Sequence, residues 1–269
     1  MSCPLPRLNC ISLELFGSVA LVKLIRPQNG NSLNHETFQD MLTATRWAID
    51  NPNVRILIQT GEGKYFTTGL DLLDANSQSY DSILPEATIQ VLDAYHKLLI
   101  STDKILIAAV NGPGVGYGLT SIALFDLVYS VPEAYFFVPF VKWGLCAEAC
   151  SSFTLPYVLG RQRASKLLLA QDRISAEELR GAGLISELVN GHELMSVVMD
   201  TASRLVELPP DSLIVNKRLM MLPHRERLLQ ANTAELKALR ERVRSHEAKS
   251  AIKGFIKAQR NQNSVQSKL

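Results

Sequence analysis

The stretch WGLCAEACSSF, residues 143–153, holds a single charge, Glu148, among small and apolar residues. Burying a carboxylate is costly, and one kept from water is a stronger base, suited to moving protons at carbon. The plainer alternative is a solvent-facing glutamate at a helix N-terminus. Cys146 and Cys150 flank Glu148 at helical spacing and read as small packing hydrophobes.

Two further stretches could do chemistry through the main chain alone: YFTTGLDL, residues 65–72, and NGPGVGYGLT, residues 111–120, each following an apolar strand. Glycine lets a backbone approach a ligand closely and aim N–H groups at a developing oxyanion. Either stretch alone could equally be a tight turn of an α/β core.

Better-known motifs fail. TGEGK, residues 60–64, lacks the earlier glycine of a phosphate loop and is followed by Tyr65 instead of Ser or Thr; the glycines at 112, 114, 116 and 118 never satisfy G-x-G-x-x-G. There is no G-x-S-x-G and no H-E-x-x-H, and the five histidines are scattered singly. The four cysteines form no C-x-x-C pair, so neither structural zinc nor disulfides are expected.

The chain has 269 residues, 46% hydrophobic and 20% charged, as expected of a soluble globular protein with a large core. No apolar run approaches a membrane span, and MSCPLPRLNC is unlike a signal peptide, so a reducing compartment and no membrane partner are expected. Residues 217–260 carry 12 Lys and Arg against 4 Glu, a local +8 within a chain of net charge +2. No aromatic residues are interleaved there as stacking platforms, so the run reads as a solvated helical face and no nucleic acid is expected. Ser267, Lys268 and Leu269 form the tripeptide SKL, a receptor-read peroxisomal address, which makes the peroxisome the expected location and its import receptor a partner.

The elements that must position these residues are legible from periodicity. ISLELFGSVALVKLIR alternates on either side of Gly17-Ser18 and predicts a β-hairpin. HETFQDMLTATRWAID places Phe38, Met41, Leu42, Thr45, Ala48 and Ile49 on one helical face, with Asn34 as its cap. VRILIQTG and KILIAAVNG predict strands, with a helix over residues 90–101 between them, and DLVYSV and AYFFVP add two short strands. Parallel sheets with helices outside are expected. From Ala176 onward strand signals fade; the remainder reads as helices broken at Pro209-Pro210 and Pro223, with one long helix from residue 225 to 260.

RPQNGNSLN, YFTTGLDL, NGPGVGYGLTSIALFDLVYS and VPFVKWGLCAEACSSFTLPYVLG, in this order and spacing, resemble the crotonase family, the enoyl-CoA hydratase/isomerase superfamily, over nearly the full chain. Within it the chain is most similar to the fungal peroxisomal delta(3)-delta(2)-enoyl-CoA isomerases. The resemblance implies an α/β fold with a crotonase-like ββα spiral core over residues 1–195 and a C-terminal helical region over 196–269, assembled as a homotrimer or homohexamer. It implies an acyl-CoA thioester substrate, with coenzyme A as part of the substrate and no metal or redox cofactor.

By position, the resemblance makes the backbone N–H groups of Leu70 and Tyr117 the oxyanion donors, their side chains being incidental. Thr68, Gly69, Leu70, Asp71, Leu72, Gly116 and Tyr117 would line the substrate, and Lys257 and Arg260 are candidates for the CoA phosphates. Glu148 falls where these isomerases carry their single proton-shuttling glutamate. The two glutamates of a hydratase are replaced by Thr120 and Phe140. Trp143, Leu145 and Phe153 are expected to surround Glu148 and raise its pKa.

One departure stands out: the isomerases follow this glutamate with two glycines, whereas Ala149 and Cys150 stand here, which predicts a narrower pocket beside the base. The expected activity is conversion of 3-enoyl-CoA to 2-trans-enoyl-CoA in peroxisomal fatty acid β-oxidation. The alternatives are another acyl-CoA reaction in a peroxisomal secondary-metabolite pathway, or a non-catalytic acyl-CoA-binding subunit.

Overall fold

The computed structural model of the chain describes residues 4–73 and 84–266, with side chains described as far as residue 258. Strands β1 (Ile11–Phe16) and β2 (Val19–Leu24) form the expected antiparallel hairpin, closing at Phe16↔Val19 across Gly17, whose φ of +59° suits glycine. Helix α1 (His35–Asp50) begins where the Asn34 side chain accepts a hydrogen bond from the Thr37 N–H at 2.9 Å, and it buries Phe38, Met41, Leu42, Thr45 and Ala48.

Strand β3 (Ile56–Gly61) leads through the loop described as far as residue 73 to helix α2 (Glu86–Ser101). This helix starts four residues before the expected Gln90: extended Pro85 opens it and Glu86 complements its N-terminal dipole. There follow β4 (Ile105–Val110), β5 (Gly114–Val115), the single-turn helix α3 (Tyr117–Thr120), β6 (Leu127–Ser130) and β7 (Tyr135–Phe137). Helices α4 (Ser151–Leu159) and α5 (Arg161–Leu168), strand β8 (Ile174–Ser175), helix α6 (Ala176–Gly181) and strand β9 (Glu187–Leu188) complete the strand-bearing part. Helices α7 (Leu194–Glu207), α8 (Pro210–Met221), α9 (Arg225–Arg244) and α10 (His246–Gln266) follow.

The main sheet has the order β1-β2-β3-β4-β6-β9 and is parallel from β2 onward. Every residue of β3 and β4 is buried, as in a parallel sheet covered on both faces. A smaller sheet, β5-β7-β8, pairs β5 with β7 in parallel and β7 with β8 antiparallel, so the expected parallel arrangement gives way at β1 and β8. Helix α7 packs on β2, β4 and β6, and α9 packs on α2 and α4.

Two expectations need correction. A strand does follow Ala176, since β9 pairs with β6; two residues are too short for any periodicity to show. The long basic helix is two helices, because Ser245 turns extended (φ −67°, ψ 150°) and its hydroxyl accepts from the Ala248 N–H at 3.1 Å. Local capping there overrides a helical pattern that runs through it. Among the described residues no helix is long and apolar enough to cross a membrane.

Candidate active site

The loop after β3 is threaded between two neighbours. Thr67 bridges Gly114 and Leu70 bridges Leu33, both in parallel. Buried Asn31 holds the loop's outer limb: its amide donates to the Glu62 and Tyr65 carbonyls at 2.9 and 2.8 Å, and its own carbonyl accepts from the Thr67 hydroxyl at 2.6 Å. Leu33 spends both main-chain groups on the residues flanking Leu70, donating to Gly69 O at 2.8 Å and accepting from Asp71 N at 3.0 Å. A parallel bridge of this form leaves the Leu70 N–H directed to the opposite side, and it has no acceptor among the described residues.

On that side lies the turn from β5 into α3. Gly69 has φ +81°, and a Cβ there would meet Val115 O at 2.7 Å and Tyr117 N at 3.7 Å, so the two chain segments touch where only a glycine fits. Gly116, with φ +55° and ψ −113°, turns the chain so that Tyr117 becomes the first residue of α3. A first helical residue has no intrahelical acceptor for its N–H. Both N–H groups are therefore unspent, on segments in contact, beside one cavity.

Tyr117 is anchored through its side chain. Its hydroxyl lies 3.0 Å from His96 Nε2, His96 Nδ1 lies 2.7 Å from Asn232 Oδ1, and Asn232 Nδ2 donates to Asp93 at 2.7 Å. The Asp93 carboxylate only accepts, so Asn232 Oδ1 must accept from His96 Nδ1–H, and His96 Nε2 must accept from the tyrosine O–H. Burial pushes the His96 pKa down to about 4, which keeps the ring neutral as this chain requires. Phe38 packs edge-on against the Tyr117 ring at 5.2 Å. The Tyr117 side chain, which the resemblance treats as incidental to the role expected of its N–H, thus ties this peptide to α2 and α9. Sequence reasoning missed His96 and Asn232; the available signal was polar residues at buried positions of amphipathic helices.

Glu148 sits in the loop before α4, not on a helix, and is half-buried, opening into a cavity of about 910 Å³. That cavity is also lined by Thr68, Gly69, Leu70, Asp71, Leu72, Gly116 and Tyr117, so all of these positions come together with the carboxylate. Burial, with a secondary contribution from the negative charge of Glu235, pushes the Glu148 pKa up to about 8. Trp143, Leu145 and Cys146 stand beside it on the wall. Phe153 does not line the cavity; it stacks on Tyr157 at 5.6 Å because α4 carries it away.

The narrower pocket expected from Ala149 and Cys150 is also corrected. Both residues are buried, neither lines the cavity, and the Cys150 thiol lies 3.3 Å from the Leu228 carbonyl on α9. Glycine's replacement shows in the backbone instead: φ is +52° at Ala149 and +62° at Cys150, the left-handed conformation glycine adopts freely. Each side chain held that way costs on the order of 1 kcal/mol. Burial pushes both the Cys146 and Cys150 thiols up, Cys146 to about 12, so they are poor nucleophiles.

Thr120 is buried in α3 and Phe140 lines the cavity, so neither offers a carboxylate. Asp71, the other acid on the wall, is engaged by Arg26 at 3.2 Å and the Ser32 hydroxyl at 2.8 Å. Lys257 is exposed on α10 and does not line the cavity, while the Arg260 side chain and residues Ser267, Lys268 and Leu269 lie outside the described residues. Among the described residues the basic side chains on the cavity wall are Arg26, Lys142 and Arg173, none of which the sequence reading singled out. Among the described residues no group of three or more His, Cys, Asp or Glu side chains could hold a metal ion.

Similarity to known proteins agrees with this geometry. Residues 14–263 match the family model described as enoyl-CoA hydratase/isomerase. The chain is 32% identical over 242 residues to Enoyl-CoA delta isomerase 2 of Rattus norvegicus, covering 89% of this chain and 61% of that protein. It thus spans about three fifths of that relative's length. It is 28% identical over 233 residues to Enoyl-CoA delta isomerase 3, peroxisomal, of Mus musculus, covering 86% of this chain and 73% of that one. An enoyl-CoA hydratase/isomerase from Pseudoalteromonas atlantica superposes with a TM-score of 0.84 at 28% identity, over 93% of this chain and 98% of that structure. Fold, matched span and relatives point the same way, and the chain belongs to the enoyl-CoA hydratase/isomerase family, with a crotonase fold.

Proposed function

We propose that the protein shifts the double bond of 3-enoyl-CoA to give 2-trans-enoyl-CoA, with Glu148 as the proton shuttle. The observation that carries this reading is that, among the described residues, a single uncommitted carboxylate, Glu148, faces the cavity beside two unspent backbone N–H groups. Addition of water across a double bond would call for a second acid–base group, and Thr120 and Phe140 supply none. In the proposed reaction the Glu148 carboxylate takes a proton from C2 of the thioester. The electron pair moves into the carbonyl, and the oxyanion of the dienolate accepts hydrogen bonds from Leu70 N–H and Tyr117 N–H. The new carboxylic acid then returns its proton to C4, leaving the 2,3 double bond conjugated with the thioester; proton and charge balance without a co-reactant.

Phe38, Leu92, Trp143, Leu239, Val243 and Phe255 give the cavity apolar walls suited to an acyl chain and to excluding water from the enolate. We place the reaction in peroxisomal fatty acid β-oxidation, supported by the SKL tripeptide and by the peroxisomal relative named above. Homotrimeric or homohexameric assembly is supported by the exposed Val215, Leu219 and Met220 on α8, and import by a peroxisomal receptor by the same tripeptide. The direct test is ultraviolet absorbance of the conjugated thioester when purified protein is given a 3-enoyl-CoA, run beside hydration of a 2-enoyl-CoA. Conjugation without hydration is expected; hydration alone, or silence in both, overturns the proposal.

A base must be ionised to accept the first proton. With the Glu148 pKa at about 8, kcat/KM is expected to rise tenfold per pH unit below that value and to level off above it. A pH-rate profile across that region checks this. An ordinary carboxylate would give a flat rate over the same range.

A further inference from the structure

We propose that Glu235, on α9, is the positioning residue for Glu148: its buried carboxylate clamps the left-handed turn that presents the base and places a second negative charge behind it. This inference rests on the reading of Glu148 as the base.

The geometry is specific. Glu235 is 5% exposed, and its two oxygens accept from Cys150 N–H and Ser152 N–H, each at 2.7 Å. These donors lie two and four residues beyond Glu148, on either side of the start of α4. An ordinary helix start is capped by its own N-cap side chain, yet Cys150 occupies that position and makes no side-chain cap bond. The cap comes instead from a residue 85 positions away in sequence.

Neither Ala149 nor Cys150 adopts a left-handed backbone freely, so something must hold them there, and Glu235 grips the second of the pair by its N–H. Among the described residues no cation is paired with Glu235. A buried carboxylate satisfied by N–H groups alone is an expensive way to make a cap, and its charge is left to act on its neighbours. Residue 232 lies one turn earlier on the same helix face and holds His96, which holds Tyr117. Helix α9 therefore ties the base and one oxyanion donor to a single rigid element.

Among the described residues, Glu235 from α9, Tyr117 from α3 and Cys146 from its own segment couple directly to Glu148, and Cys150 and Arg242 couple to those neighbours; Arg26, Asp71, Lys142 and Arg173 face the same cavity, with Arg26 and Asp71 paired to each other. Burial holds the thiols and the phenol in their neutral forms near neutral pH; it raises the Glu235 carboxyl as well, but there the Ser152 and Cys150 N–H groups favour the ionised form, so Glu235 is the negative group able to oppose ionisation of Glu148. Two coupled carboxylates titrate in two macroscopic steps.

The test uses the full chain and needs no turnover: isotope-edited infrared titration of the glutamate carboxyls, with Glu148→Gln to assign the Glu148 band. In Glu235→Gln the upper step is expected to vanish and Glu148 to titrate singly, lower by about half a unit or more. Glu235→Ala, which loses both acceptors, is expected to lower kcat roughly ten- to hundredfold with KM little changed. Adding Ala149→Gly and Cys150→Gly to either variant removes the strain, so that the protein folds without the clamp; it is expected to recover most of kcat while the lowered titration stays. A helix cap without influence on the base would lower the melting temperature and leave the Glu148 titration in place. An unmoved titration in Glu235→Gln together with a kcat in Glu235→Ala within about twofold of the parent would overturn the inference. Because the infrared titration is independent of substrate, a shifted Glu148 in a protein that proves inactive toward 3-enoyl-CoA supports the clamp and removes only the reaction.

Discussion

Glu148→Gln is expected to lower kcat for isomerisation by roughly 10²- to 10⁴-fold while acyl-CoA affinity stays within a few-fold. The amide keeps the shape of the carboxylate and loses the ability to take a proton, so the loss falls on the chemical step. Stopped-flow or steady-state kinetics with a 3-enoyl-CoA, beside calorimetric binding of a saturated acyl-CoA, separate the two quantities. An undiminished rate would remove Glu148 from the mechanism.

The same variant carries a stability signature with a definite sign. The folded-state pKa of Glu148, about 8, lies above the ordinary carboxylate value, so ionisation opposes folding. The contribution of the protonated group is fully present below the unfolded-state pKa and is lost as pH rises to about 8. Removing the charge should therefore raise the melting temperature above pH 8 and leave it unchanged in acid. Thermal melts at both extremes check this, and a gain in stability with a loss of rate is the pattern expected where a strained or buried charge serves activity.

Gly69→Ala should cost roughly 10²- to 10³-fold in kcat, the loss typical of one oxyanion donor. A Cβ at this position would sit 2.7 Å from Val115 O, a main-chain atom that cannot swing aside, and φ is +81°. Either the loop or β5 must retreat, and both carry a donor: Leu70 N–H follows Gly69, and Tyr117 N–H follows Gly116. The clash falls on the main chain that carries the two N–H groups, while Leu239, Val243 and Phe255 of the apolar wall come from α9 and α10, so KM should change much less than kcat. Gly17→Ala is the control, since it also has positive φ, +59°, but meets nothing within 4 Å and lies in the distant hairpin turn. Both variants should lose stability to backbone strain, on the order of 1–2 kcal/mol, and only Gly69→Ala should lose the rate. Equal rates in the two variants would sink the oxyanion role of this turn.

Local rules act within a few residues, and what depends on them was legible. Alternation about Gly17 marked the hairpin, the 3.6-residue spacing from Phe38 to Ala48 with Asn34 before it marked α1, and the unbroken apolar runs marked β3 and β4. Glu148 stood out because a lone charge in an apolar stretch violates the same rules, and such violations concentrate at functional sites. The glycines at 69 and 116 were visible as residues, but not which contacts made them necessary.

What those rules could not reach depended on distance in sequence. The break at Ser245 and the two-residue β9 are decisions between nearly balanced local and tertiary preferences. Ala149 and Cys150 looked like an intrusion into the pocket, and only the fold shows them turned into the core, with the change absorbed as left-handed backbone. His96, Asn232 and Glu235 are separated from the residues they hold by 21 to 136 positions. Each is a polar group on an apolar helix face, a pattern that announces a buried partner without naming it. Residue types and their spacing pointed to the family, the longer strands and the proposed base; the pairing of buried polar groups across α2, α3 and α9 was settled by packing, because a hydrogen bond requires a partner in space whatever its place along the chain.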